Sequence, residues 1–184
     1  GDVWFGGVTR NPWNIAEGAS GSSAGSASAT AAGLIGFSIG TETLGSITSP
    51  SQRCGTTGLR PTFGRVSRSG AMALCWSLDK IGPICRTVED TVLVLSAING
   101  FDSDDKGSID SVFNYDASTS IEGLRVGYIP STFQDEGSTD VDRDALEAMR
   151  QLNVELVEVS LPDLPYMSLM NVVYAEAAAA FEEL

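Results

Sequence analysis

Residues 18–33 read GASGSSAGSASATAAG, a stretch built almost wholly from glycine, alanine and serine. Such a composition is typical of a flexible linker. Residues 24–34, however, carry five alanines and end in Leu34, which favours a packed helix. The residues that follow, FSIGTET (37–43), belong to an apolar run that is typical of a strand. We therefore predict a helix of small residues packed closely against a strand, and not a linker.

The second half of the chain predicts an α/β fold. Residues 87–100 (TVEDTVLVLSAING) have the pattern of an amphipathic helix that Thr87 caps and Gly100 ends. Further on, the strand-like runs GLRVGYIP (123–130) and VELVEVSLP (154–162) flank a helix-forming segment. Strand, helix and strand in this order predict a βαβ unit.

The two ends of the chain suggest a piece of a longer domain. The first residue is Gly1, and residues 166–184 (YMSLMNVVYAEAAAAFEEL) form a helical pattern that continues to the last residue. We therefore expect the 184 residues to be one incomplete domain.

Composition limits the classes of partner. The 24 acidic residues outnumber the 11 basic ones and give a net charge of −13, which repels phosphate backbones, so direct nucleic-acid binding is not expected. The apolar runs are too short to span a membrane.

The three cysteines are Cys54, Cys75 and Cys85. Because their number is odd and they form no C-x-x-C pair, they predict buried, reduced thiols in a cytoplasmic protein and no metal site.

The serine-rich stretch admits two chemical interpretations. GSSAG (21–25) matches the nucleophile-elbow pattern around Ser23, but an elbow needs a histidine base and the chain has none. Alternatively, Ser22 works together with Ser46. These two serines are 24 positions apart, which leaves room for a helix and a strand, so that the chain can return to the end of the structure at which Ser22 lies. A sharp turn in ETLGS (42–46), with Gly45 open to a reacting carbonyl, would gather backbone N–H groups into an anion-binding nest.

Ordered motifs then give a specific resemblance. The runs GVTRNPWN (7–14), GSSAGSASATAAGLIGFSIGTETLGSITSPSQRCGTTGLRPTFGRVSRSG (21–70) and SLDKIGPICRTVEDTVLVL (77–95) resemble the amidase signature family of serine hydrolases. The likeness is strong over about residues 7–101. It implies an α/β fold with a mixed, largely central β-sheet flanked by helices, of which residues 1–184 form part of one domain, with the signature core at 7–101 and a βαβ-like continuation at 121–184.

The resemblance also implies a mechanism and its residues. The family hydrolyses linear carboxamides with a serine–serine–lysine triad and no cofactor. Matched by position, Ser46 is the acylated nucleophile and Ser22, after a cis peptide bond from Gly21, is the bridging serine. Ser23 and Gly21 would support the site. The oxyanion hole would consist of the backbone N–H groups of Thr43, Leu44, Gly45 and Ser46.

The lysine of this triad has no match in the chain. In the family it lies upstream of the serine-rich loop, whereas Lys80 and Lys106 both lie downstream. We expect both to be surface lysines, the base to be absent, and the isolated chain to be inactive.

Other positions depart from the usual signature. Glu42 replaces an aspartate and is expected to shift a local hydrogen bond. Leu44 replaces a glycine, so that a positive φ there would be costly. Thr48 replaces an arginine, which removes a cation near the site.

Three functions compete at this stage. The first is an amidase acting on a small-molecule amide. The second is the glutamine-hydrolysing A subunit of a tRNA-dependent amidotransferase, ranked lower because of the acidic balance and Thr48. The third is a catalytically dead, amidase-like binding scaffold. The corresponding assemblies are a homodimer or a complex with amidotransferase partner subunits.

Overall fold

The structure is a computed structural model that describes residues 1–182, which form two units. The first unit comprises Gly1–Tyr115 and the segment that begins at Met167, and the second comprises Asp116–Tyr166. Strands of the first unit are β1 (Val3–Trp4), β2 (Gly7–Val8), β3 (Arg10–Asn11), β4 (Asn14–Gly18), β5 (Ser38–Glu42), β6 (Thr57–Gly58) and β7 (Lys80–Cys85). Its helices are α1 (Ala24–Ala31), α2 (Thr48–Cys54), α3 (Val88–Ile98) and, after the second unit, α5 (Leu169–Ala180). The second unit contains β8 (Arg125–Tyr128), α4 (Asp140–Gln151) and β9 (Glu155–Glu158).

Helix α1 packs closely on the sheet, as predicted, and the linker interpretation is wrong. Its buried residues are Ala24, Ala27 and Thr30, which repeat every three residues and so share one helix face. A Cβ atom added to Gly40 of β5 would lie only 2.8 Å from the Ser23 hydroxyl oxygen. Small residues on both sides therefore allow the helix to approach the strand.

The helix is shorter than the sequence suggests. It ends at Ala31, and Gly33 adopts a left-handed φ of 72°, which stops the helical repeat. Leu34, expected inside the helix, lies beyond it and is 77% exposed.

Strand β7 occupies the centre of a three-stranded antiparallel sheet in the order β5–β7–β6. The register between β5 and β7 pairs Gly40 with Gly82 and Glu42 with Lys80. Residues about forty positions apart in the chain are thereby brought side by side, next to the turn that follows β5.

Helix α3 begins as the sequence predicts. The Thr87 side chain accepts a hydrogen bond from the Asp90 N–H at 3.1 Å, which satisfies a free donor of the first turn. The helix ends at Ile98, and Gly100 follows with a φ of 144° and donates its N–H to the carbonyl of Arg65.

The second unit contains the predicted βαβ arrangement. Strands β8 and β9 are parallel, with Val126 opposite Leu156, and α4 lies between them in the chain. Thr139 and Asp142 form a reciprocal capping box at the start of α4.

The C-terminal helical pattern is confirmed in kind but not in extent. A 3₁₀ turn at Tyr166–Ser168 precedes α5, which ends at Ala180, before the helical pattern of the sequence ends. Residues 183 and 184 lie outside the described part of the chain. No helix within residues 1–182 is both long enough and apolar enough to cross a membrane.

Candidate active site

The two candidate serines lie at adjacent turns of the first unit. Ser22 follows a cis peptide bond from Gly21, as the family resemblance implies, and Ser46 follows the turn after β5. The N–H of Ser23 donates a hydrogen bond of 3.0 Å to the carbonyl of Ser46, which ties the two turns together. Ser22 and Ser46 both line one cavity of about 260 Å³. The structure thus brings together the two residues that the sequence paired.

The turn before Ser46 offers open hydrogen-bond donors. Gly45 has a φ of 141°, a conformation that side chains disfavour, whereas Leu44 has no positive φ and its side chain is 52% exposed. The positive φ that would be costly at Leu44 is therefore absent there, and Gly45 takes the unusual conformation. Within residues 1–182, the backbone N–H groups of residues 43–46 donate to no other protein group.

Ser23 plays a structural part. Its hydroxyl oxygen donates to the Thr41 carbonyl and accepts from the Thr41 N–H, both at 3.2 Å. These bonds hold the start of α1 against β5. The Ser23 hydroxyl is thus a hydrogen-bonding neighbour of the site, and it makes no capping bond to α1.

Glu42 is fully buried and anchors the start of α2. Its carboxylate accepts the N–H groups of Ile47 and Thr48, each at 2.8 Å, the Thr48 hydroxyl at 3.1 Å and an Arg60 N–H at 3.1 Å. Burial would raise the pKa of this carboxyl, but the hydrogen bonds from Thr48, Ile47 and Arg60 outweigh burial, and the pKa lies below its ordinary value. Arg60 places a cation beside the carboxylate although residue 48 is threonine.

Lys80 corrects the expectation of a surface lysine. It is half-buried, lines the same cavity as the two serines, and donates an Nζ hydrogen bond of 3.2 Å to the Thr43 carbonyl. Burial, together with the Arg60 guanidinium, lowers its pKa below the ordinary lysine value, although the Glu42 and Asp79 carboxylates oppose this shift. Lys106 also lines the cavity and is exposed, as expected.

The rest of the cavity wall was not identified from the sequence. Apolar side chains come from the segment before β7, namely Met72, Leu74 and Trp76. Asp79 holds this segment, since its carboxylate accepts the N–H groups of Leu74 and Cys75 and also the Thr43 hydroxyl, at 2.8, 2.9 and 2.5 Å. The SLDK motif (77–80) was the available signal, because it adjoins the strand that pairs with β5.

Helix α5 supports the same wall. The Glu176 carboxylate accepts the Cys75 thiol and the Ser77 N–H, both at 3.0 Å. Burial, together with the adjacent carboxylate, raises the pKa of the Cys75 thiol. The three cysteines are buried, free thiols, as the sequence predicts, and they are Cys54, Cys75 and Cys85.

An ion pair joins two further loops of the cavity. Arg68 pairs with Asp105 at 3.2 Å, its guanidinium carbon lies 4.5 Å from the centre of the Phe63 ring, and it donates to the Trp76 carbonyl. Hydrogen bonds from the Arg68 side chain and N–H lower the pKa of Asp105 to about 2, from 3.8. The pair is nearly buried, with 17% of the Arg68 side chain and 9% of the Asp105 side chain exposed.

Replacing Asp105 with asparagine should destabilise the fold in a pH-dependent way. Because the folded-state pKa of Asp105 is lowered, its contribution is present above pH 3.8 and is lost as the pH falls through about 2. We expect the Asp105→Asn variant to lose about 2 kcal/mol of unfolding free energy at pH 7. The deficit should shrink below pH 4 in urea titrations.

Asp104→Asn is the matched control, because Asp104 is the exposed neighbour in the same loop. It should change the unfolding free energy by no more than about 0.5 kcal/mol at either pH. Equal deficits for the two variants, or a deficit independent of pH, would contradict the assignment.

The donor groups do not favour a metal centre. Within residues 1–182, no cluster of His, Cys, Asp or Glu side chains has the arrangement to hold a metal ion.

Comparison with known proteins identifies the family. The family model described as Amidase matches residues 3–184. The A subunit of glutamyl-tRNA(Gln) amidotransferase from Lysinibacillus sphaericus is 46% identical over 166 residues, which cover 86% of this chain and 34% of that protein. The chain spans about a third of the length of such curated relatives.

Solved structures show the same fold. The crystal structure of the A subunit of glutamyl-tRNA(Gln) amidotransferase from Thermotoga maritima matches with a TM-score of 0.87 and 31% identity, covering 95% of this chain and 40% of that one. Native peptide amidase from Stenotrophomonas maltophilia matches with a TM-score of 0.81 and 34% identity, covering 96% and 39%. The mixed α/β fold, incomplete relative to these structures, is thus the one the sequence predicts. The chain belongs to the amidase signature family of amide-hydrolysing enzymes.

Proposed function

We propose that the complete protein hydrolyses a linear carboxamide through an acyl-enzyme on Ser46. One observation carries this proposal. Ser22 and Ser46 line the same cavity of about 260 Å³, beside a turn whose N–H groups at residues 43–46 have no protein acceptor within the described residues. A nucleophile, a second hydroxyl and an unoccupied set of donors are the components that acyl transfer requires.

In the proposed reaction, the Ser46 hydroxyl oxygen attacks the amide carbonyl carbon. Its proton passes to the Ser22 hydroxyl, whose own proton passes to a neutral lysine. Ser22 then returns a proton to the leaving amine as the C–N bond breaks. Water hydrolyses the resulting ester and regenerates Ser46. We place the lysine outside residues 1–184, so that the isolated chain is inactive.

The negative charge of the tetrahedral intermediate falls on the former carbonyl oxygen. The N–H groups of Thr43, Leu44, Gly45 and Ser46 would donate to it. Donors held in position before the reaction need no reorganisation, and a single such donor is worth about 10²–10³ in rate. The anchoring of this turn by Glu42 and Asp79 supports the role, because both carboxylates bind the turn or its immediate neighbours.

A second candidate is the glutamine-hydrolysing A subunit of a tRNA-dependent amidotransferase. Its support is sequence similarity, since relatives with that name are 44–46% identical to this chain. In this case the amide would be the side chain of glutamine, and the ammonia would go to a second protein of the complex. Glutaminase activity that rises on addition of the partner subunits would favour this candidate over a free-standing amidase.

Covalent labelling tests the proposed nucleophile. The complete protein is treated with a fluorophosphonate, which phosphonylates activated serines, and is then digested with trypsin. Residues 11–53 form one tryptic peptide that contains Ser22, Ser23 and Ser46, so fragment-ion spectra must locate the adduct. We expect the adduct on Ser46, and ammonia release from simple amides by the unlabelled protein. An adduct on another serine, or no labelling and no ammonia release, would overturn the proposal in favour of a different nucleophile or an inactive scaffold.

A further inference from the structure

Lys80 is a charged group of the cavity that the proposed reaction does not use, and it lies next to the turn that leads to Ser46. Its strand, β7, pairs with β5 in a register that sets Lys80 opposite Glu42. The ammonium donates to the carbonyl of Thr43, three residues before Ser46. Three residue steps of about 3.8 Å each keep the Thr43 backbone within about 11 Å of the Ser46 backbone.

The carboxylates around Lys80 are committed to other donors. Glu42 binds the start of α2 and Arg60, and Asp79 accepts from Thr43, Leu74 and Cys75. Asp105 is paired with Arg68. A protonated lysine has three N–H donors, and within residues 1–182 only the one to Thr43 has a protein acceptor.

From this arrangement we propose that Lys80 is a specificity-determining residue that binds a carboxylate on the acyl part of the substrate. The inference rests on the proposed function, since it concerns the substrate of the same site. The preferred class is then an ω-carboxy carboxamide. The apolar side chains of Met72, Leu74 and Trp76 suit the methylene groups between the two ends.

A pair of isosteric amides tests this assignment in the complete protein. Succinamate carries a carboxylate, and 4-methylpentanamide carries an uncharged isopropyl group in its place. The wild-type protein should have the higher kcat/KM for succinamate. In Lys80→Met, kcat/KM for succinamate should fall about 30-fold, mainly through KM, because a hydrogen bond to a charged group is lost. The value for 4-methylpentanamide should fall far less, because this amide loses only the support that Lys80 gives to the Thr43 carbonyl.

Two further variants sharpen the test. Lys80→Arg keeps a cation and should restore most of the preference for succinamate. Arg53→Met removes a cation that pairs with Glu17 on the surface of the same unit, and it should leave the ratio of the two kcat/KM values unchanged.

The outcomes separate this inference from the proposed function. If the wild-type protein hydrolyses both amides, and Lys80→Met lowers kcat/KM equally for both, the specificity role is wrong. The proposed amide hydrolysis would not be affected by that result. A collapse of kcat for both amides would identify Lys80 as part of the chemistry and likewise overturn the inference. Failure of the wild-type protein to hydrolyse any amide would instead reject the proposed function.

Discussion

Replacing Ser46 with alanine should remove nearly all amide hydrolysis by the complete protein, with a fall in kcat of about 10⁴-fold or more. The reason is that Ser46 supplies the oxygen that forms the acyl-enzyme. Ser22→Ala should cost less, about 10²–10⁴-fold, because it would remove a proton relay and leave the nucleophile in place. Rates of ammonia release and thermal unfolding measure the two effects separately.

A serine outside the cavity provides the control. Ser96 is exposed on α3, where its hydroxyl bonds to the Val92 carbonyl. Ser96→Ala should keep full activity, and all of these variants should unfold within a few degrees of the wild-type protein. If Ser46→Ala retained substantial turnover while a variant at Ser22 or Ser23 were dead, the assignment of the nucleophile would be wrong.

Replacing Glu42 with alanine should give the largest loss of stability, about 3–5 kcal/mol, because it leaves buried partners of a charged group unsatisfied. The carboxylate accepts from Ile47, Thr48 and Arg60, and its side chain is fully buried. The loss would also disorder the turn that carries Ser46, so activity should fall with stability. Urea titration and ammonia release measure these two effects.

The pKa of Glu42 determines how its contribution to stability depends on pH. Because the folded-state pKa lies below 4.5, the carboxylate stabilises the fold above that pH, and this contribution is lost as the pH falls below the folded-state value. The matched control is Glu17→Gln, since Glu17 forms an ion pair with Arg53 in which both side chains are about half exposed. Such surface pairs contribute about 0–1 kcal/mol, so a Glu17 variant as unstable as the Glu42 variant would contradict the argument.

The sequence predicts those interactions best whose residues lie close together in the chain or belong to one ordered motif. The pairing of Ser22 with Ser46 follows from residue spacing and from the motif, and the helix of small residues follows from its alanines. Thr87 was identifiable as a helix cap because its partner, Asp90, is three residues away. In each case the interacting groups are on one short stretch or within one ordered motif.

Long-range contacts account for what the sequence did not predict. Lys80 looked like a surface residue because SLDK (77–80), although it adjoins β7, does not reveal the register between β7 and β5 that brings Lys80 to Thr43. Arg68 and Asp105 are 37 residues apart, and their pairing depends on how two loops fold around the cavity. In the turn after β5 the positive φ falls on Gly45 and not on Leu44, so the cost that it would have at Leu44 does not arise.

The contact between Glu176 and the segment at Cys75 and Ser77 has a consequence for biosynthesis. The two sides of this contact are separated by 101 residues, and Leu74 and Trp76 of the cavity wall adjoin the anchored segment. A ribosome adding 5–20 residues per second needs about 5–20 s to synthesise the intervening chain. During that interval the nascent polypeptide already contains both serines, yet it lacks the carboxylate that fastens the wall beside them. Translation thus completes this wall of the pocket well after it has completed the nucleophile.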